Sequence, residues 1–249
     1  MSDIATRIQQ SLAAVDLERR KRMDTPGLAG AASALKTYQQ QRFARTHASL
    51  LAHPRYGRAA NFFLNELYGP QDFTQRDAQF GRIVPALVRL FPADIVATVE
   101  SLAAVHALSE RLDTAMAIHL QGAAPSPASY VRAWQGAGEP AARARQIELV
   151  MRVGQALDRH TRSFVLRASL KAMRGPARAA GLGALQAFLE AGFDAFGAMH
   201  GAREFLATIQ SRESALAQRL FEPGAVSAAT GALAPGDVLA QLPQAGFSG

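Results

Sequence analysis

The sequence predicts an all-α protein: a globular bundle of about seven to nine helices of unequal length. Three observations carry this. Apolar residues recur at three- and four-residue steps rather than at two, twelve prolines and twenty glycines punctuate those runs, and a hydrophobic content of 49% in 249 residues supplies a sizeable core.

The elements follow in order. Asp3 is placed to cap a first helix whose stripe is Ile4, Ile8, Leu12 and Val15, and Thr25-Pro26-Gly27 ends it. A second helix from about Leu28 carries Leu35, Tyr38, Leu50 and Leu51 and is expected to run to His53-Pro54, because a residue before proline is driven out of the helical region. A third holds Ala59, Phe62, Phe63 and Leu67 up to the Gly69-Pro70 breaker. Thr74 with Asp77 has capping-box spacing, with Asp in place of Glu or Gln, and opens a helix with Phe80, Ile83, Val84, Leu87, Val88 and Phe91 inward and a kink expected at Pro85. Pro92 then suits a first helical position, and Ile95, Val99, Leu102, Val105, Leu108, Leu112 and Ala115 follow at near-heptad spacing to about Leu120. Ser126-Pro127 opens a short helix with Tyr130 and Trp134, and Gly136-Ala137-Gly138-Glu139-Pro140 breaks it. One long helix is expected from about Ala141 to Arg174, closed by Gly175-Pro176, with two more over roughly 177–199 and 202–221. The chain thus divides into an N-terminal helix with a basic segment (1–24), a helical domain (25–221) and an Ala/Gly/Pro-rich tail expected to be flexible (222–249).

Composition excludes several chemistries. Without cysteine there is no disulfide, thiolate nucleophile or Cys-ligated zinc or iron–sulfur cluster. No run reaches the 18 apolar residues of a membrane span, and the N-terminus lacks a leader pattern, so a cytoplasmic address is expected. Nucleophile elbows, phosphate loops and dinucleotide fingerprints are absent, and Gly181-Leu182-Gly183 follows no strand.

The net charge of +7 is unevenly spread: residues 61–121 carry four basic side chains against seven acidic ones, whereas 122–221 carry thirteen against seven. One basic run is Arg19-Arg20-Lys21-Arg22, the other the set Arg145, Arg152, Arg159, Arg167, Lys171 and Arg174, which on one continuous helix fall within about 120° of arc. Both are candidate contacts for an anionic partner, and both also read as solvated helix faces. Neither interleaves aromatic residues, so no specific nucleic-acid recognition is expected.

His106, Glu110 and Asp113 stand at i, i+4 and i+7 and form the one histidine–carboxylate grouping with metal-ligand spacing. The paired Glu-x-x-His motifs of a di-iron bundle do not occur. His106 or His119 as a lone haem ligand completes the cofactor alternatives, and the cofactor itself stays unknown.

Phe62-Phe63-Leu64-Asn65-Glu66-Leu67-Tyr68-Gly69-Pro70-Gln71-Asp72-Phe73-Thr74-Gln75-Arg76-Asp77 reads as a corner between helices. Its polar side chains Glu66, Tyr68, Asp72, Arg76 and Asp77 suit either a ligand pocket or a joint in which Asp72 or Thr74 caps and Arg76 pairs with Glu66. Together with Arg55-Tyr56, Arg145-Gln146-Ile147 and the stretch from Pro176 to Leu189, this motif resembles an uncharacterised proteobacterial helical family over roughly residues 40–221. The resemblance implies a soluble helical protein and assigns no reaction. The expected function is therefore non-enzymatic: a binding or regulatory protein that engages a protein partner, a second copy of itself or a small apolar ligand. A haem- or metal-dependent protein and a peripheral binder of anionic membrane or nucleic acid are the alternatives.

Overall fold

The computed structural model describes residues 3–67, 69–120, 122, 124–231 and 233–244. Among them are thirteen α-helices and no strand, more than the seven to nine expected, because corners and breaks hold short helices that periodicity does not register. Ten have seven residues or more.

Helix α1 (Asp3–Asp24) leads through Gly27, whose φ of 77° is the left-handed geometry glycine tolerates, into α2 (Leu28–Thr46). The second helix ends before the expected His53-Pro54 stop. His47 departs from helical geometry, its ring wholly buried against Glu213, and α3 (Ala48–Leu51) and α4 (Gly57–Glu66) follow. After the corner come α5 (Thr74–Leu90), with Pro85 inside it, and the 28-residue α6 (Ala93–Leu120). Helix α6 is the axis of the molecule and packs against α1 and α2 and against two later helices, α7 (Pro127–Ala137) and α8 (Pro140–His160). Its near-heptad stripe is thereby covered within the chain. Ser126 caps α7 in a reciprocal box with Ser129.

The single helix expected over 141–174 is three. Helix α8 stops at His160, and Ser163 accepts the Leu166 amide and starts α9 (Phe164–Ala172), which is followed by α10 (Arg174–Ala179). No glycine or proline marks this break; a serine cap makes it. Helices α11 (Gly183–Gly197) and α12 (Arg203–Phe221) complete the main bundle. Of the tail expected to be flexible over 222–249, residues 222–231 and 233–244 include α13 (Ala225–Thr230) and a 3-10 turn, Val238–Gln241. Ala225, Leu239 and Leu242 are fully buried beside Leu35, Tyr38, Tyr130 and Trp134. Residues 245–249 lie outside the described residues.

Among the described residues four apolar clusters are buried, the smallest of them Leu28, Ala31, Ala32 and Ala117, and the three larger ones fill the centre. Phe43, Phe63, Phe196 and Phe205 centre the first, Tyr130, Trp134 and Leu220 the second, and Ile8, Val84 and Val96 the third. A cavity lies where they meet.

Candidate functional site

The cavity has a volume of about 210 Å³ and draws its wall from the three larger clusters: Phe63 and Ile209, Trp134 and Leu220, Leu87 and Ala103. About 150 Å³ accommodates benzene. This space is large enough for a ring or a short chain.

One end reaches the corner motif. Glu66, Leu67, Phe73, Arg76 and Asp77 line it there, and Leu67 is more than a third exposed. The Arg76 guanidinium lies 3.9 Å from the Phe73 ring centre and 4.4 Å from that of Phe188, a cation held between two aromatic faces. It also pairs with Glu66 at 3.5 Å, the ion pair expected across the corner. The Asp72 carboxylate accepts the Thr74 amide at 2.9 Å, while the N-cap position itself is Phe73, which makes no side-chain cap bond. The expected Thr74–Asp77 box does not form, because Asp77 is turned toward Arg19 at 2.5 Å and His106 at 2.8 Å. Burial opposes ionisation of Asp77, but His106 and Arg19 outweigh it and hold the carboxyl below its usual range. Tyr68 lies outside the described residues.

Behind the corner, α6 presents His106, Glu110 and Asp113 to the same cavity, so the i, i+4, i+7 spacing was a true guide to their shared side. They do not converge on one point. His106 turns to Asp77, Glu110 to Arg22 and Lys36, and Asp113 to the Gln39 amide at 3.1 Å. Among the described residues no group of three or more histidine and carboxylate side chains is close enough to hold a metal. Burial raises the cost of charge on Glu110, yet Lys36 and Arg22 more than offset it and bring its carboxyl down to about 2. For Asp113 burial wins: Lys36, Arg143 and the Gln39 amide favour its charged form but do not offset burial, and its carboxyl is pushed up.

The far end of the cavity is built by residues the motifs did not single out. Tyr130 and Trp134 stand one turn apart on α7, their rings 6.1 Å apart, with the Tyr38 ring of α2 packed against Tyr130 at 4.9 Å and tilted by 32°. Arg143 of α8 reaches over the Trp134 ring at 4.0 Å and donates to the Gln146 side chain at 3.2 Å. Beside them, Glu213 of α12 takes both Arg42 and His47, and its carboxyl is lowered to about 2: burial opposes this, and Arg42 and His47 overcome it. A sequence signal for Arg143 did exist. It lies one turn before Ile147 and two before Val150, a cation on the apolar side of α8.

The basic candidates disperse. Arg19 and Arg22 point inward to Asp77 and Glu110, while Arg20 and Lys21 stay exposed, as a helix must divide four consecutive residues. Arg145, Arg152 and Arg159 are on α8, Arg167 and Lys171 on α9 and Arg174 on α10, so the six share no single helix face. Arg145 and Arg152 share Glu148, Arg174 pairs with Glu190, and Arg167 donates to the Thr161 carbonyl. Lys171 projects from α9, a helix without a buried residue, which also exposes Phe164 and Val165. No helix among the described residues is long and apolar enough to cross a membrane.

The chain belongs to the family described as Domain of unknown function (DUF8198), which matches residues 18–226. No curated protein and no solved structure matches it.

Proposed function

We propose that this member of the DUF8198 family is a binding protein whose central cavity takes one small, mostly apolar molecule and leaves it chemically unchanged. The cavity of about 210 Å³ at the junction of three apolar clusters carries this reading. Its charged groups support binding over turnover. Glu110, Glu213 and Asp77 are each held by cations or histidine in fixed pairs, so none is placed as a free base beside a nucleophile.

The chain carries its own reporter. Trp134 is the only tryptophan and lines the cavity. Titration with a panel of acids, alcohols and hydrocarbons of six to ten carbons is expected to change Trp134 emission saturably, at one molecule per chain, and to raise the Tm. Val150→Phe, which puts a ring into the space, is expected to weaken binding by at least about tenfold while the helical circular dichroism stays unchanged. A panel in which no member changes either the emission or the Tm would overturn the proposal.

A further inference from the structure

Resting on that reading of the cavity, the chemistry of its far end specifies what is bound there. Three residues of the wall each carry a buried donor, the Tyr130 hydroxyl, Trp134 Nε1 and Arg143 Nη2, that has no hydrogen-bond partner among the described residues. All three residues are more than nine-tenths buried: Tyr130 is 0%, Arg143 4% and Trp134 8% exposed. A buried donor left unmade costs on the order of 1–3 kcal/mol, so folded proteins rarely gather several without a use for them. The rings of Tyr130 and Trp134 are 6.1 Å apart and the Arg143 guanidinium lies 4.0 Å over the Trp134 ring, so the three side chains form one group.

Arg143 adds a charge to the set. Among the described residues no carboxylate lies within ion-pair distance of it, and its one side-chain partner is the neutral Gln146 amide. Two carboxylates act on it from farther off, and both are otherwise engaged: Asp113 with Gln39 inside the molecule, Glu139 in a two-pronged pair with Arg111 at the surface. A guanidinium keeps its proton when buried, so the wall holds a permanent positive charge with N–H and O–H donors beside it. Arg143, Ile147 and Ala217 also border a more open recess between α8 and α12, which sets this end of the cavity next to solvent.

We propose that the ligand is an apolar carboxylic acid, bound as its carboxylate against Arg143, Tyr130 and Trp134 with its body in the apolar part of the cavity. One unpaired guanidinium matches one negative charge. A phosphate dianion would bring a second charge into surroundings where each ionised carboxylate already has its cation.

Octanoate, octan-1-ol and octyl phosphate, of equal chain length, separate the head from the body. Trp134 emission and calorimetry are expected to show octanoate binding about tenfold to a hundredfold more tightly than octan-1-ol, the range set by a charge-assisted hydrogen bond. Arg143→Gln should remove that advantage and leave the affinity for the alcohol unchanged. Tyr130→Phe, which deletes one oxygen and keeps the ring, should weaken octanoate several-fold and octan-1-ol not at all, and it decides the matter if the arginine variant does not fold. Equal affinity for acid and alcohol overturns the carboxylate assignment and leaves the cavity reading intact, as does loss of both ligands alike in Tyr130→Phe. Tighter binding of octyl phosphate than of octanoate overturns it in favour of a phosphate head. Binding of none of the three, or of any other member of the panel, removes the cavity reading itself.

Discussion

Glu213 shows how one side chain joins distant parts of this molecule. It lies on α12, and its carboxylate holds Arg42 and the ring of His47 on either side of the α2 terminus. Replacing it with glutamine keeps the volume and removes the charge, leaving buried Arg42 facing a neutral amide. Losing one member of a buried pair costs about 3–5 kcal/mol. Urea denaturation of Glu213→Gln is therefore expected to show a midpoint well below that of the parent with an unchanged slope. At this scale the sequence was a partial guide. The placement of His106, Glu110 and Asp113 on one side follows from 100° per residue and the pairing of Glu66 with Arg76 across the corner from turn chemistry, whereas the cap expected of Asp72 or Thr74 falls instead at Phe73. Which partner each would take did not follow. Glu110 meets Arg22 across 88 residues and Glu213 meets Arg42 across 171, distances at which periodicity carries no information.

Some helices were legible where glycine or proline bounded them, but Gly175-Pro176, expected to close a helix, lies inside α10, and α2 ends before His53-Pro54. The Ser126-Pro127 start of α7 and the Thr25-Pro26-Gly27 stop of α1 stand where the sequence puts them. The elements that escaped were set by tertiary contacts or by a lone cap: the turn at His47, the Ser163 restart of α9 and the burial of Ala225, Leu239 and Leu242. That last misreading came from composition. Alanine, glycine and proline suggest flexibility, yet a few leucines suffice to dock such a segment. Glycine also does work that composition cannot show. A Cβ at Gly154 of α8 would stand 2.5 Å from Leu206 Cδ2 of α12, closer than real carbon contacts allow. Gly154→Val is expected to separate the two helices and lower stability by about 1–3 kcal/mol, measurable as a fall in Tm with the helical signal retained.

At the scale of the whole molecule the buried charges set the response to pH. Glu110 and Glu213 fall from an ordinary 4.5 to about 2 in the folded chain. The unfolded chain therefore binds protons more readily, and their contribution, about 3 kcal/mol each at one pKa unit per 1.4 kcal/mol, is present above 4.5 and lost between 4.5 and 2. His47 acts in the same direction from higher pH. Burial, countered in part by Glu213, depresses it below 6.5, so protonation favours unfolding once the pH drops below that value. Asp113 opposes both, since its raised pKa makes the folded chain the better proton acceptor and favours it at low pH. Glu110, Glu213 and Asp77, all with lowered carboxyl pKa, outnumber Asp113 and leave a net loss on acidification. Thermal melts between pH 8 and 3 should show the Tm declining below about 6.5 and more steeply below 4.5, with the steep part reduced in Glu213→Gln.

The docking of Leu239 and Leu242 onto Leu35 and Tyr38 has a further consequence for how the protein is made. During synthesis α2 leaves the ribosome long before the segment that covers it has been translated. Until then, the aromatic face shared by Tyr38, Tyr130 and Trp134 lacks the leucines that cover it in the folded chain.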